Sequence, residues 1–243
     1  MSASHLSSSE ICAALQHGGI IAHRPFQTGW NSNFLLEIDF GGSSSCSAIY
    51  KPQRGEAHLW DYPPGTLFQR EYLAYRVNQA LGWNQVPPTV IRDGPHGVGS
   101  VQLMVGAEEG RHFFNLADEH KDAMIQMAVF DCLINNADRK GGHVLLDAQG
   151  HIWAIDHGLT FTAEPKLRTV MWDLCDEPVP ELHKERVLGL LNDEALRAEV
   201  TPNLQRDEVE ALYERAACLL TWPTIPMDRY ADRVLRPYPW PPI

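Results

Sequence analysis

The residue pattern of the chain changes from strand-forming to helix-forming near residue 106. Before that point, runs of β-branched and aromatic residues alternate with clusters of glycine, serine and asparagine, which are the turn residues that separate strands. Beyond it, apolar residues recur mostly at helical spacing. This order predicts an α+β fold in two parts, residues 1–105 with an antiparallel sheet and residues 106–243 that are mostly helical.

The first part contains five predicted strands and a long helix. The strand runs are residues 20–27, 34–40, 46–52, 86–94 and 98–106. Alternation with a period of two is clearest at Phe34, Leu36, Ile38 and Phe40, which indicates one buried face. Residues 65–83 change to helical spacing, with Gly82 as a stop signal, and a short capped helix is predicted over 9–17.

The second part contains three predicted helices and one hairpin. The helices are predicted over 118–136, 181–200 and 204–222, and the two short β runs over 143–147 and 152–157. The last residues are rich in proline, which excludes both helix and central strand there.

Charge and cysteine content narrow the class of protein. Twenty Lys and Arg against 31 Asp and Glu give a net charge of −11, which opposes binding to nucleic acid. Insertion into a membrane is not expected, because no run of about 20 apolar residues occurs. The five cysteines form no C-x-x-C pair, and an odd number with wide spacing favours a reducing cytoplasm.

The densest polar cluster in the sequence is NNADRKGGH at 135–143, between an apolar helix and a short β run. Asp156 follows thirteen residues after His143, at the end of the next β run, so a hairpin brings the two side chains together. Two ligands for a hard cation plus a carboxylate base, Asp138, is what metal-dependent phosphoryl transfer requires. The alternative is a solvated loop in which Asp138 pairs with Arg139 and Asp156 caps a turn.

The first part offers residues for binding phosphate. The loop TGWNSN at 28–33 is rich in residues that expose backbone N–H groups and could fold over phosphates, although the pattern taken alone favours an ordinary hairpin turn. Lys51 ends a strand, and Glu71 lies among apolar neighbours on a helix, where an unpaired carboxylate is costly. Lys51 is therefore the expected partner of Glu71.

Taken in order, the glycine-containing loop, the strand lysine, the helix glutamate, DRKGGH at 138–143 and IDHG at 155–158 resemble the protein-kinase-like superfamily. The chain is most similar to the atypical branch of phosphatidylinositol 3-/4-kinase-like and HipA-like kinases. In that branch the catalytic loop reads D-R-x-x-x-N and the metal motif I-D-x-G. The resemblance covers about residues 20–175 and implies a bilobal fold joined by a hinge at 104–110.

The resemblance also implies residue roles with ATP and Mg²⁺ or Mn²⁺ as cofactors. Lys51 would contact the α- and β-phosphates, and Asp138 would be the catalytic aspartate. Asp156 would be the principal metal ligand, with His143 standing where the family has asparagine. The expected nucleotide contacts are Thr28, Gly29, Asn31, Ser32, Asn33, Lys51, Glu71 and the backbone of Val105.

The acceptor is expected to be a hydroxyl of a protein or small molecule, not primarily a lipid. Only Lys166 and Arg168 lie in the segment after Gly158, which is too little positive charge for a phosphoinositide headgroup. Three alternatives stay open at this point: a pseudokinase that binds nucleotide without turnover, an enzyme that transfers AMP on the same fold, and a metallohydrolase that does not use Lys51.

Overall fold

The computed structural model describes residues 7–28, 31–41, 44–226 and 237–243. These residues form two compact units. The first comprises the described residues up to Tyr75 together with Pro87–Val105, and the second comprises Arg76–Val86 together with the described residues from Gly106 onward. An antiparallel sheet in the first unit and a mostly helical second unit confirm the predicted α+β class.

Five antiparallel strands form the sheet of the first unit. They are β1 (Ile20–Thr28), β2 (Asn31–Gly41), β3 (Ser44–Pro52), β4 (Thr89–Gly94) and β5 (Gly97–Leu103). Their order across the sheet is β1-β2-β3-β5-β4. Lys51 pairs with Ser100 of β5, so it lies on the central strand of the sheet.

The core of the first unit lies between this sheet and helix α1 (Ser8–His17). Ser7 caps the helix and exchanges hydrogen bonds with Glu10. Ile11 and Leu15 of α1 belong to one buried cluster with Leu36 and Ile38 of β2. Phe34 and Phe40 are partly buried against the same cluster, as their period of two predicts.

Helix α2 (Leu67–Ala80) carries Glu71. The helix ends before Gly82, whose φ of 65° is a left-handed conformation that glycine adopts without strain. The predicted stop signal is therefore confirmed, although the helix is shorter at both ends than the predicted range of 65–83.

Among the described residues, five α-helices and a two-stranded hairpin lie entirely within the second unit. The helices are α3 (Phe113–Leu116), α4 (Lys121–Ile134), α5 (Glu181–Leu191), α6 (Glu194–Val200) and α7 (Arg206–Leu219), and the strands are β6 (Val144–Leu146) and β7 (Ile152–Ala154). The prediction of one helix over 181–200 is wrong, because Asp193 begins a new helix. Its carboxylate accepts a hydrogen bond from the Leu196 backbone at 2.9 Å, and such an N-cap competes with continuation of the preceding helix.

Helix α4 is buried on all sides over its last two turns. The residues Met127–Ile134 each expose 1% or less of their surface, a wider contact than the single apolar face that the spacing predicts. Asp131 belongs to this buried stretch and forms an ion pair with Arg139 at 2.8 Å, in which both side chains are fully buried. Within the described residues, no helix is long and apolar enough to cross a membrane.

Breaking the Asp131–Arg139 pair should destabilise the protein strongly. In Asp131→Ala the Arg139 guanidinium would stay buried without its carboxylate, and such a loss costs about 3–5 kcal/mol. Equilibrium unfolding in urea measures the change. Glu210→Ala is the control, since it breaks the exposed Arg206–Glu210 pair and should leave the unfolding midpoint nearly unchanged. Equal midpoints for the two variants would contradict this account of the core.

Candidate active site

The loop that carries Asp138 begins where helix α4 ends. Asn135 terminates the helix with a left-handed φ of 52°. Its side-chain amide donates to the carbonyl oxygens of Thr162 and Glu164 at 2.9 and 2.7 Å. The next residue, Asn136, accepts from the backbone N–H of Asp138 at 3.0 Å. Two asparagine side chains therefore set the path of the chain into the loop.

Arg139 anchors this loop from the inside. Its guanidinium contacts both carboxylate oxygens of Asp131 at 2.8 and 2.9 Å and donates to the Ile155 carbonyl at 3.0 Å. Its Nη2 lies 2.8 Å from Nε2 of His157, and because arginine only donates, this ring nitrogen accepts. The alternative of a solvated Asp138–Arg139 pair is thus wrong, since Arg139 is fully buried and bound to Asp131.

Asp138, His143 and Asp156 form a compact cluster of potential metal ligands. One ligand atom from each residue lies within 4.8 Å of the other two. His143 Nε2 is 3.3 Å from an Asp156 carboxylate oxygen, and Asp156 is about half exposed. The structure therefore brings together the three residues that the sequence pattern selects.

Two short connections bring these side chains together. A 3-10 turn over Gly141–His143 leads into β6, and the backbone N–H of Ile155 donates to the His143 carbonyl at 3.0 Å. Asp156 follows with a φ of 62°, a left-handed conformation that is uncommon outside glycine and that aspartate tolerates better than most residues. The β6–β7 hairpin thus brings His143, just before β6, close to Asp156, just after β7, as predicted.

The electrostatic environment raises the pKa of Asp138 to about 6, chiefly because burial disfavours the carboxylate. The Lys140 ammonium, 3.1 Å from the Asp138 carboxylate, opposes this shift, while the negative charge of Asp156 adds to it. A carboxylate with a raised pKa is a stronger base than an exposed aspartate. Asp138 is therefore suited to accept a proton.

In the first unit, Lys51 and Glu71 form the predicted ion pair. The Glu71 side chain is almost fully buried and that of Lys51 is about one-fifth exposed. Burial of a carboxylate is costly in the absence of a partner, and the Lys51 ammonium supplies one. The pair fixes the lysine at the end of the central strand.

The other predicted nucleotide contacts occupy two places in the first unit. Thr28 pairs with Asn31, and the hairpin of β1 and β2 also contains Ser32 and Asn33. Asn31 accepts a hydrogen bond from the Ala57 backbone at 2.8 Å. Gly29 lies outside the described residues. Val105 follows β5 at the end of the first unit.

Sequence reasoning missed the buried partners of the site, Asp131, Asn136 and His157. Asn136 donates to Asp131 at 2.9 Å, so the carboxylate that binds Arg139 also orders the loop. A signal for Asp131 was present, because it stands alone in the apolar run AVFDCLI. Like Glu71, Asp131 is a carboxylate among apolar neighbours, which is costly to bury without a partner.

Comparison with solved structures shows kinase-like neighbours. The fold resembles that of a Golgi casein kinase with Mn/ADP bound, with a TM-score of 0.60 and 14% identity over 97% of this chain and 80% of the other. Hydra Fam20, solved with sugar, matches with a TM-score of 0.58 and 14% identity over 93% and 91% of the two chains. The Helicobacter pylori proinflammatory kinase CtkA matches with a TM-score of 0.50, 14% identity and coverages of 87% and 94%. At this identity, the shared feature is the protein-kinase-like fold.

Sequence comparison identifies a nearer relative. No family model matches the sequence. Placement in the phosphatidylinositol-kinase-like and HipA-like branch stays a prediction. Protein Rv2133c of Mycobacterium tuberculosis is 36% identical over 266 aligned positions, which cover 94% of each protein. The chain, with its protein-kinase-like fold, therefore belongs to the same family as Protein Rv2133c.

Proposed function

We propose that the protein is an ATP- and metal-dependent phosphotransferase that acts on a hydroxyl group of a protein or small molecule. The observation that carries this proposal is the cluster of Asp138, His143 and Asp156, in a chain with a protein-kinase-like fold. A base and two metal ligands at close range are what phosphoryl transfer requires, since catalysis there consists largely of positioning and charge neutralisation.

The residues of the cluster fit a divalent cation. The Asp156 carboxylate and the His143 imidazole are a donor pair that suits Mn²⁺ and is compatible with Mg²⁺, and Asp138 beside them stays available as the base. The solved Golgi casein kinase that shares the fold has Mn/ADP bound, which supports the same choice of cofactors here. When bound, the metal neutralises phosphate charge; His143 and Asp156 would hold it.

Asp138 would act as the base in the transfer. Its carboxylate takes the proton of the acceptor hydroxyl as the acceptor oxygen bonds to the γ-phosphorus. The bond from that phosphorus to the β–γ bridging oxygen breaks, and ADP leaves. The raised pKa of Asp138 suits a group that must accept a proton.

Lys51 would neutralise the α- and β-phosphates, with Glu71 fixing its position. The pair in the first unit supports this role, because it holds the ammonium at the end of a central strand. Backbone groups of residues 28–33 would contact phosphate, and the backbone of Val105 would contact adenine. Residues 1–105 and 106–243 would serve as the two lobes of the kinase. The enzyme would be cytoplasmic.

The net charge of −11 supports a neutral or basic acceptor. An acidic protein repels anionic lipid surfaces and polyanions at long range. A protein or small-molecule hydroxyl is therefore the better candidate than a phosphoinositide.

Removing the proposed base should abolish transfer and leave nucleotide binding intact. Asp138→Ala is expected to lower the rate of phosphate transfer from γ-labelled ATP by about 10²- to 10⁴-fold, the usual contribution of a general base. ATP affinity, measured by calorimetry, should be unchanged. The control is Asp118→Ala, an exposed carboxylate outside the cluster. A normal rate in Asp138→Ala would contradict the role given to Asp138.

Removing the lysine charge tests whether the first unit takes part. Lys51→Met should lower transfer by about 10²- to 10³-fold, because a fixed positive charge on the phosphates is lost. Lys121→Met is the matched control, since it breaks the more exposed Lys121–Glu177 pair. Full activity in Lys51→Met would favour a metallohydrolase that uses only the cluster of the second unit.

His143 should set the metal preference. His143→Asn replaces an imidazole by an amide oxygen, a harder ligand that suits Mg²⁺ better. The ratio of the transfer rate with Mn²⁺ to that with Mg²⁺ is therefore expected to fall. His17→Asn, at an exposed position of α1, should keep the wild-type ratio. An unchanged ratio in His143→Asn would show that His143 is not a ligand.

The position of the label distinguishes phosphoryl transfer from the two remaining alternatives. Label from γ-labelled ATP should reach the acceptor, and label from α-labelled ATP should not. The opposite result would identify AMP transfer. Stabilisation by ATP in a thermal-shift assay without transfer of either label would identify a pseudokinase.

A further inference from the structure

The proline-rich segment Pro237–Ile243 is bound to the loop that carries Asp138 and to the segment at 169–172 that pairs with this loop. The carbonyl of Pro242 accepts a hydrogen bond from the Gly141 backbone at 2.7 Å. The carbonyl of Pro237 accepts from the Thr169 backbone and from the Trp172 indole, each at 3.0 Å. All these residues belong to the second unit.

The composition of the segment suits binding through backbone carbonyl groups. Four of its seven residues are proline, which has no N–H and a fixed φ. Such a segment presents carbonyl acceptors at a low entropic cost. In each of the three hydrogen bonds the rest of the second unit donates and a proline carbonyl accepts. All three acceptors are thus backbone carbonyls of the segment. Its side chains Tyr238, Trp240 and Ile243 each stay more than half exposed, and the Tyr238 ring lies edge-on to that of Trp172 at 6.2 Å.

Gly141 is held tightly at its end of the contact. A Cβ on Gly141 would lie 2.8 Å from the Phe114 ring and 3.3 Å from the Pro242 carbonyl oxygen. The same atom on Gly142 would meet Ile243 at an ordinary 3.8 Å. Gly141 stands between Asp138 and His143 in the chain, so its position affects the distance between those two side chains.

Thr169 contacts the residue that directly follows Asp138. It forms a parallel bridge with Arg139, in which the Arg139 N–H donates to the Arg168 carbonyl at 2.9 Å and the Val170 N–H donates to the Arg139 carbonyl at 3.1 Å. Pro237 therefore holds the strand-like partner of Arg139, while Pro242 holds Gly141. Both contacts reach the loop just after Asp138, at Arg139 and at Gly141.

We propose that Pro237–Ile243 is a positioning segment of the active site, which fixes the loop from Arg139 to Gly141 and so maintains the spacing of Asp138 and His143. The proposal rests on the phosphotransferase function for its catalytic consequence. The structural consequence, ordering of the loop and of the metal ligands, is independent of the reaction.

The test compares the full chain with a variant shortened to residues 1–236. Hydrogen exchange at the Gly141 and Thr169 amides should accelerate in the shortened variant, because their acceptors are gone. Mn²⁺ affinity, measured by calorimetry, should fall about 10- to 100-fold, as for loss of other groups that orient metal ligands. The kcat of transfer should fall about 10²-fold, while the KM for ATP stays near the wild-type value.

A second pair of variants covers the case in which the shortened chain does not fold. Gly141→Ala should displace the Phe114 ring or Pro242 and lower both Mn²⁺ affinity and kcat, with a larger effect than Gly142→Ala. Circular dichroism confirms that each variant is folded at the assay temperature. Leu188→Ala, at an exposed position of α5, controls for loss of surface apolar area.

The outcomes separate the positioning role from other roles. Unchanged Mn²⁺ affinity in a folded shortened variant, or equal effects of the two glycine variants, would overturn the proposal. A higher kcat after shortening would also overturn it, because the segment would then cover the acceptor site. If the full chain transfers no phosphate and yet Mn²⁺ affinity and amide protection fall as expected, the positioning role stands and the phosphotransferase function fails.

Discussion

The buried guanidinium of Arg139 is the interaction on which the site depends. A charge removed from water is tolerated only when each of its donors is satisfied, and here Asp131, the Ile155 carbonyl and His157 together provide the acceptors. Those acceptors come from helix α4 and from the segment after β7. The Arg139 side chain binds both helix α4 and the segment after β7. The loop at 138–143 and the Asp156 segment therefore cannot shift independently without leaving a buried charge without its partner. The position of the candidate metal ligands is thus a consequence of burying Arg139.

The residues that hold the loop in place and the residues proposed to react differ in how deeply they are buried. Asp131 and Arg139 are fully buried, whereas Asp138 and Asp156 keep part of their surface exposed. Intermediate burial is what raises the pKa of Asp138 while leaving it accessible to a substrate. Asp156, with its left-handed φ, directly follows Ile155, whose backbone is bound to His143 and Arg139. A fully buried cluster could not exchange metal or nucleotide, and a fully exposed one would not hold its ligands in place.

The fold and the family carry different kinds of information about function. A shared fold at 14% identity shows how the chain is organised, and the family relationship to Protein Rv2133c connects it to a protein of nearly equal extent. The inference of phosphoryl transfer comes instead from the chain's own side chains: an ordered base, a carboxylate–imidazole pair and a lysine held by a buried glutamate. The proline-rich segment adds a feature that rests on this chain's own hydrogen bonds, two from backbone N–H groups and one from the Trp172 indole. Fold alone does not decide activity, so the site must supply the argument.

The sequence by itself determined the order of strands and helices and the stop at Gly82, because hydrophobic period and turn residues are visible within short windows. The order of short motifs along the chain was enough to select Lys51, Glu71 and the cluster of Asp138, His143 and Asp156. The tertiary structure decided what short windows do not contain. It showed that Arg139 binds a carboxylate eight residues earlier and a histidine eighteen residues later, and that a predicted single helix breaks at Asp193. It also placed the proline-rich segment against Gly141, about a hundred residues away in the chain. Contacts of this kind depend on burial and on which donors are left to satisfy once the elements pack, and those quantities exist only in the folded chain.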